Sequence, residues 1–219
     1  VFNVTSTKKL IESKTLSDIS IDVLHLQYGD KERKEFGKKT YQEEISHIVD
    51  HNKRNNFIKN LAISQQGNTL VLFNLVDKHG KPLYNLIRDK ADIKRKVFYV
   101  SGEVGAIDRE EIRTLVEKEK DAIIVASLGT FSTGINIKNL HNMIFAAPTK
   151  SQVRVLQSIG RSLRKSENGQ PAKVYDLCDD FSWKKRKNYT LGHGLERIEI
   201  YEKEQLDFKI HAVPLLEDR

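Results

Sequence analysis

Long hydrophobic runs are missing from this sequence, and cysteine, methionine and tryptophan each occur only once. The longest apolar runs, such as Leu70–Phe73 and Ala122–Ala126, have the length of a core strand and are too short to cross a bilayer. The single cysteine, Cys178, excludes an internal disulfide and is typical of a reducing compartment. We therefore expect a cytoplasmic protein with no membrane partner. Because the chain starts at Val1 and its only methionine is Met143, we also expect it to be a piece of a longer protein.

Several catalytic motifs are absent as well. No G-x-x-x-x-G-K-[ST] phosphate loop occurs, and no Asp-Glu box that could hold Mg²⁺ is present. No G-x-G-x-x-G follows a strand, which argues against a dinucleotide-binding enzyme. No metal-ligand set is identified: Asp176, Asp179 and Asp180 come at the end of an expected strand, where helix caps and loop hydrogen bonds are the usual roles of Asp.

The chain has 219 residues, of which 38% are hydrophobic, so it can bury a sizeable core. Its 37 Lys and Arg outnumber 30 Asp and Glu, for a net charge of +7. A basic protein attracts polyanions, of which nucleic acid is the commonest. Charge alone does not separate this interpretation from an ordinary solvated surface, and it does not separate DNA from RNA.

Short apolar strands alternate with amphipathic helices over most of the chain. Strands that are apolar on both faces indicate a parallel sheet covered on both sides. We therefore predict an α/β fold with an open, mostly parallel sheet and a C-terminal helical extension. The expected strands are 19–26, Thr69–Asn74, Val97–Val100, Ala122–Ser127, Asn142–Ala147 and Lys173–Leu177. The expected helices are Tyr41–Val49, Arg54–Gln65, Pro82–Lys90, Asp108–Lys118, Ser151–Leu163 and one from after Trp183 to about Leu206, and 29–39 is expected to be an exposed charged loop.

The organisation that we expect has three parts. Residues 1–40 form a leading segment that packs on the main domain, 41–182 form that domain, and 183–219 form a basic helical extension. The extension contains Trp183–Tyr189, in which four basic residues stand between two aromatics, a combination typical of proteins that bind single strands. Its candidate contacts are Lys184, Lys185 and Arg186, although a solvated charge run is the commoner explanation of such a segment.

Two segments carry the chemistry. Ser127–Ile137 is a predicted loop rich in Gly, Ser and Thr, which can offer N–H groups and hydroxyls to phosphates; most such loops are simply turns. The predicted helix 151–163 leads into Arg164, and Arg161 and Arg164 lie three residues apart on one face. Two such guanidiniums suit a triphosphate, but a solvated helix end is an equally good explanation of this segment alone.

The two segments together form a pattern that is specific to one protein family. Thr-Gly-Ile-Asn-Ile at 133–137, followed by Gln-x-x-Gly-Arg-x-x-Arg at 157–164, closely resembles motifs V and VI of superfamily-two helicases. Thr69–Asn74 resembles motif IV, and Tyr99–Gly102 resembles the nucleic-acid-binding motif that follows it. The pattern of Asn188, His193, Arg197 and Tyr201 is similar to a helix of the Rad25/XPB-like subgroup, which includes a bacteriophage recombination-repair helicase.

This resemblance implies a RecA-like domain that clamps ATP and Mg²⁺ against a first motor domain, which would bind most of both. It implies arginine fingers at Arg161 and Arg164, and a cleft lined by Gln157, Gly134 and Asn136. Asn136 departs from the family, where Asp is common, so a role that needs a carboxylate is in doubt. The residues implied in contacts with strand phosphates are Ser101, Gly102, Ser127 and Thr130.

The implied function is that of an ATP-dependent DNA helicase or translocase acting on forks, Holliday junctions or R-loops in recombination, repair and replication. Its expected partners are single-stranded and branched DNA, RNA within R-loops, and the first RecA-like domain of the same protein, in the host cytoplasm if phage-encoded. Without a phosphate loop the isolated chain is expected not to hydrolyse ATP. The alternative is a non-catalytic, basic RecA-like module that only binds nucleic acid.

Overall fold

The structure, a computed structural model, describes residues 19–36, 39–134, 137, 139–148 and 171–215. Seven strands form one sheet in the order β3-β4-β2-β5-β6-β1-β7, and every pairing is parallel. The strands are β1 (Ile19–Gln27), β2 (Thr69–Phe73), β3 (Val97–Val100), β4 (Ile123–Ser127), β5 (Asn142–Phe145), β6 (Ala172–Asp180) and β7 (Asp207–Pro214). The predicted open, parallel α/β sheet is confirmed.

Seven α-helices are described, together with a π-helical turn at Val76–Gly80. The helices are α1 (Asp30–Phe36), α2 (Tyr41–Asp50), α3 (Asn52–Ser64), α4 (Lys81–Arg88), α5 (Ala106–Lys118), α6 (Leu128–Gly134) and α7 (Tyr189–Lys203). None of the helices in these described ranges is long and apolar enough to span a bilayer. The predicted helix Ser151–Leu163 lies outside the described residues.

Local sequence explains where several helices begin. Thr40 and Glu43 form a capping box at the start of α2: the Glu43 carboxylate accepts from the Thr40 N–H at 2.8 Å, and the Glu43 N–H donates to the Thr40 hydroxyl at 3.4 Å. Pro82 occupies the first turn of α4, where its missing N–H costs nothing. Helix α7 starts against α2, because the buried Glu44 carboxylate accepts from the Thr190 N–H at 2.7 Å.

The core lies on both faces of the sheet. One hydrophobic cluster joins alternate strand residues such as Leu70 and Ile124 to α5 and α7. The other joins Val71 and Val125 to α1, α2, α3 and α4. The central strands β2 and β4 are buried at every position, which explains their unbroken apolar sequences.

Three parts of the sequence prediction are wrong. Residues 30–36 of the expected charged loop form helix α1, which is held by the buried ring of Phe36. The expected Gly/Ser/Thr loop after β4 contains helix α6. Residues 207–214, in the extension expected to be helical, form the edge strand β7, which pairs in parallel with β1.

The expected division at residues 40/41 and 182/183 stays a prediction about domains. The described ends of the chain both contribute strands to the one sheet: β1 pairs with β6 over nine positions, from Ile19↔Ala172 to Gln27↔Asp180, and with β7 from Ser20↔Asp207 to Gln27↔Pro214. Segments on either side of both expected boundaries therefore share one hydrogen-bonded sheet.

Candidate nucleic-acid interface

All seven strands are parallel, so their carboxyl ends lie along one edge of the sheet. Open α/β sheets bind their ligands outside this edge. The predicted phosphate contacts follow β3 and β4, which are neighbours in the sheet, and the basic segment follows β6. Each set therefore lies at the edge where a ligand is expected.

The structure brings the loops after β3 and β4 together. A Cβ atom added to Gly102 would lie 3.6 Å from the Thr130 hydroxyl, in ordinary van der Waals contact. The Ser127 hydroxyl donates to the Thr130 hydroxyl at 2.6 Å and accepts from the Thr130 N–H at 3.3 Å. Gly102 is exposed, so backbone groups at this position are open to a ligand.

The serine side chains of this pair of loops are already engaged. Ser101 is fully buried, and its hydroxyl accepts from the Glu103 N–H at 3.3 Å, which closes the turn after β3. The hydroxyl of Ser127 fixes the first turn of α6 in the same way. The Ser127 hydroxyl gives its hydrogen to Thr130 and the Ser101 hydroxyl is fully buried, so the Thr130 hydroxyl, in a residue that is 8% exposed, is the side-chain donor left for a phosphate. The geometry therefore favours contacts from the Gly102 backbone and from Thr130.

The predicted basic contacts form a turn after β6. The N–H and C=O groups of Trp183 and Arg186 bond to each other at 3.0 and 3.1 Å, and Lys184 takes a left-handed φ of 55°. This turn exposes Lys184, Lys185 and Arg186. The Arg33 guanidinium supports it by donating from Nε to the Ser182 carbonyl at 2.8 Å.

Helix α1 forms the facing wall of an open groove of about 990 Å³ beside this turn. The groove is lined by five cationic side chains, one carboxylate and an indole: Lys31, Lys34, Lys184, Lys185, Arg186, Glu35 and Trp183. A net charge of +4 beside an aromatic ring suits a single strand, which offers phosphates and bases together. The sequence does not reveal Lys31 and Lys34 as contacts, because the composition of their charged run predicts a loop.

The basic groove and the Ser127–Thr130 pair are separate regions of the same edge. Strands β2 and β5 lie between β4 and β6. At a strand spacing of about 4.8 Å, the strand ends are about 14 Å apart. The structure therefore does not place Lys184, Lys185 and Arg186 next to Ser101, Gly102, Ser127 and Thr130.

The predicted ATP-facing residues fall mostly outside the described part of the chain. Gln157, Asn136, Arg161 and Arg164 all lie there. Gly134 is the last residue of α6, four positions after Thr130. Their predicted roles stay predictions.

A buried ion pair holds the edge where β5 and β6 end. The Arg54 guanidinium of α3 donates from Nε to Asp179 Oδ1 at 2.7 Å and from Nη2 to Asp179 Oδ2 at 3.0 Å. It also donates to the Ala146 carbonyl at 2.9 Å, and the Tyr28 hydroxyl donates to Asp179 at 2.7 Å. Both charged side chains are completely buried.

A second buried pair attaches α7 to β6. The Arg197 guanidinium donates to both carboxylate oxygens of Asp176, at 2.9 and 2.8 Å, and the Tyr201 hydroxyl donates to the same group at 2.9 Å. Asp176 and Asp179 are therefore buried ion-pair partners, and the prediction that they are cap or loop residues is wrong. For Asp180 that prediction is confirmed, because its carboxylate accepts from the Ser182 N–H at 2.8 Å.

The subgroup pattern on α7 is therefore largely structural. Arg197 and Tyr201 converge on Asp176, as described, while the Asn188 amide donates to the Glu44 carboxylate at 2.8 Å. The ring of His193 lies 5.6 Å from that of Tyr41, in agreement with the interpretation of His193 as a packed residue. These residues fix α7 against β6 and α2 rather than face the groove.

Comparisons with known proteins agree with this architecture. The family described as the helicase conserved C-terminal domain matches residues 52–166. The ATP-dependent DNA helicase uvsW of Enterobacteria phage T4 is 41% identical over 228 residues, which cover 98% of this chain and 45% of that protein. The chain thus spans about half the length of this relative.

Solved structures show the same fold. The crystal structure of T4 UvsW matches with a TM-score of 0.77 and 41% identity, over 92% of this chain and 42% of that one. The C-terminal domain of the DEAD-box protein Dbp5 matches with a TM-score of 0.53 over 92% of each chain, but at 11% identity, so this match supports the fold alone. This chain belongs to the helicase conserved C-terminal domain family of the superfamily-two helicases.

Proposed function

We propose that this chain is the second motor domain of an ATP-dependent DNA helicase or translocase. The observation that carries the proposal is the proximity of Gly102 and Thr130 at the carboxyl edge of the sheet, in a chain that is 41% identical to the phage T4 DNA helicase over 98% of its length. In this proposal ATP and Mg²⁺ lie between the chain and a first RecA-like domain, which supplies the phosphate loop and the magnesium carboxylates.

The substrates that we propose are forks, Holliday junctions and R-loops, processed in recombination, repair and replication, in the host cytoplasm if the protein is phage-encoded. One strand would follow the carboxyl edge, with phosphates near Gly102 and Thr130 and further phosphates in the basic groove. Such contacts give affinity and register with little sequence preference. Closure of the two motor domains on ATP would then move the strand.

The groove is tested by charge reversal with a matched control. Lys184→Glu/Lys185→Glu and Lys90→Glu/Lys94→Glu alter the net charge equally, and all four lysines are exposed. Lys94, however, comes just before β3. It therefore lies near the amino ends of the strands, at the edge of the sheet opposite the groove. We expect the first pair to weaken single-stranded DNA binding and to lower the slope of log K against log[salt] by about 1.4, from two lost phosphate contacts. Equal effects of the two pairs would refute a specific role for the groove.

The energy coupling is tested at Arg164 in the full-length protein. If Arg164 is an arginine finger, Arg164→Ala lowers ATP turnover by about 10³-fold or more while DNA binding survives. Lys165→Ala, at the neighbouring position, is the matched control and should leave turnover within a small factor of the parent. Unchanged turnover in Arg164→Ala would instead favour the non-catalytic binding module.

A further inference from the structure

Three possible metal ligands from two helices meet beside the groove, away from the Gly102–Thr130 pair. His47 and His51 are four residues apart at the end of α2, so their rings share one face. Glu32 Oε1, from α1, lies 3.4 Å from His47 Nε2 and 3.0 Å from His51 Nε2. All three ligand atoms lie within 4.8 Å of one another.

The two separations from Glu32 fit a tetrahedral ion. Ligands bound to Zn²⁺ at about 2.0–2.1 Å are about 3.3 Å apart along each edge of the tetrahedron, which lies between the two distances to Glu32. His47 Nε2 is buried and has no hydrogen-bond partner among the described residues. Two imidazoles and a carboxylate suit Zn²⁺ and similar transition metals, whereas Mg²⁺ and Ca²⁺ prefer oxygen ligands.

Aromatic packing holds the two rings in place before any ion binds. The ring of Phe36 stacks on that of His47 at 3.8 Å, and the ring of Tyr28 meets that of His51 edge-on at 5.1 Å. The side chains of Glu32, His47 and His51 are 18, 27 and 10% exposed, so an ion can enter from solvent. A fourth position would remain for water, as in other sites with three protein ligands.

We propose that Glu32, His47 and His51 form a Zn²⁺-type site that fastens α1 to the junction of α2 and α3. Helix α1 carries Lys31 and Lys34, which line the groove, so the ion would stabilise one wall of it. The inference concerns a metal site that the proposed helicase activity does not require.

Binding has one identifiable cost. His51 Nδ1 accepts from the Arg54 N–H at 3.2 Å and so caps α3. This bond places the ring proton on Nε2, which donates to Glu32. A metal on Nε2 moves the proton to Nδ1 and removes the cap, which lowers the affinity for the ion by roughly fivefold. The remaining two ligands and the preformed geometry have to outweigh this loss.

The test measures binding of Zn²⁺ alone, and the visible absorption of Co²⁺, in the metal-free full-length protein. The variants keep the local packing: Glu32→Gln is isosteric, His47→Phe keeps a ring against Phe36, and His51→Asn keeps a side chain that can cap α3. His211→Ala is the matched control, because His211 pairs with Asp22 elsewhere on the sheet at 2.9 Å.

We expect the parent and His211→Ala to bind one ion with the same affinity, with Co²⁺ absorption of tetrahedral intensity. Each of the other three variants should weaken binding by roughly tenfold or more, and Zn²⁺ should raise the melting temperature of the parent but not of these variants. Equal affinities for the parent and all three variants would overturn the proposal. So would an ion whose affinity falls only in His211→Ala.

Discussion

The buried pair of Arg54 and Asp179 gives the sharpest prediction about stability. Neither side chain is exposed, so removing one partner leaves a charge in the interior that water does not reach. Such a loss costs about 3–5 kcal/mol, which is a large part of the roughly 5–15 kcal/mol that stabilises a typical domain. We expect Arg54→Met and Asp179→Leu each to lower the free energy of unfolding by this amount.

The double variant separates the ion pair from simple loss of packing. In Arg54→Met/Asp179→Leu no buried charge remains, although the Tyr28 hydroxyl and the Ala146 carbonyl lose their partners. We therefore expect the double variant to be less destabilised than the sum of the single variants by about 2–3 kcal/mol. Urea unfolding followed by circular dichroism measures each value from the midpoint and slope.

The matched control is an exposed pair. Arg88 and Asp89 lie 2.8 Å apart with side chains 50 and 60% exposed, and Arg88→Ala should leave the urea midpoint unchanged. If the single variants prove too unstable to purify, Asp179→Asn keeps an oxygen that can accept from Arg54 and gives a milder perturbation. Single effects that add within about 0.5 kcal/mol would refute the reasoning.

Three further predictions test packing, protonation and reactivity. Gly194→Ala would push its Cβ into the Sγ of Cys178, whereas nothing lies within 4 Å of a Cβ at Gly192. In thermal melts, Gly194→Ala should therefore lower the free energy of unfolding by about 1–3 kcal/mol. Gly192→Ala should raise it by about 0.5–1 kcal/mol. Burial, followed by the charge of Arg54, lowers the pKa of His79 to about 3, so below the ordinary value of 6.5 the unfolded chain binds a proton that the folded chain does not. The protonation of His79 should therefore lower the free energy of unfolding by about 2 kcal/mol from about pH 7.5 to about pH 5. Urea titrations of a His79→Leu variant should not show this decrease of about 2 kcal/mol. Burial also raises the pKa of the Cys178 thiol to about 12, so it should react with an aromatic disulfide reagent only after unfolding; fast labelling of the folded protein would contradict this.

The central sheet could be predicted from sequence because its strands are buried on both faces. The bounds of β3 match the prediction, and those of β2 and β4 differ from it by one residue. An unbroken apolar run flanked by helices leaves few other structures open. The same argument failed for β7, whose residues are mostly exposed and which is a strand because it pairs with β1.

Helices α1 and α6 show where composition misleads. The run from Asp30 to Phe36 contains a single buried side chain, which is too weak a pattern to reveal a helix. Gly, Ser and Thr after β4 are typical of a loop, but the Ser127 hydroxyl binds the Thr130 N–H and starts α6. In both segments one tertiary or capping contact outweighs the average propensity of the residues.

The ion pairs and the histidine–glutamate cluster could not have been predicted, since their members are far apart in the sequence. Arg54 and Asp179 are separated by 125 positions, and no local pattern links them. The spacing of His47 and His51 is visible in the sequence, but their neighbour Glu32 lies in a run whose composition predicts a loop. Only the folded chain shows that the three side chains meet.

The order of the strands also bears on how DNA binding and ATP use would be coupled under the proposed function. Strand β5, which leads towards Gln157, Arg161 and Arg164 in the sequence, lies between β4 and β6 in the sheet. A nucleic-acid strand that contacts both Thr130 and the basic groove must therefore pass the carboxyl end of β5. The Arg54–Asp179 pair joins that end to β6 through the Ala146 carbonyl. Because this connection is buried, it fixes the end of β5 relative to β6, and under the proposed function a strand held at both regions passes this fixed point of the sheet.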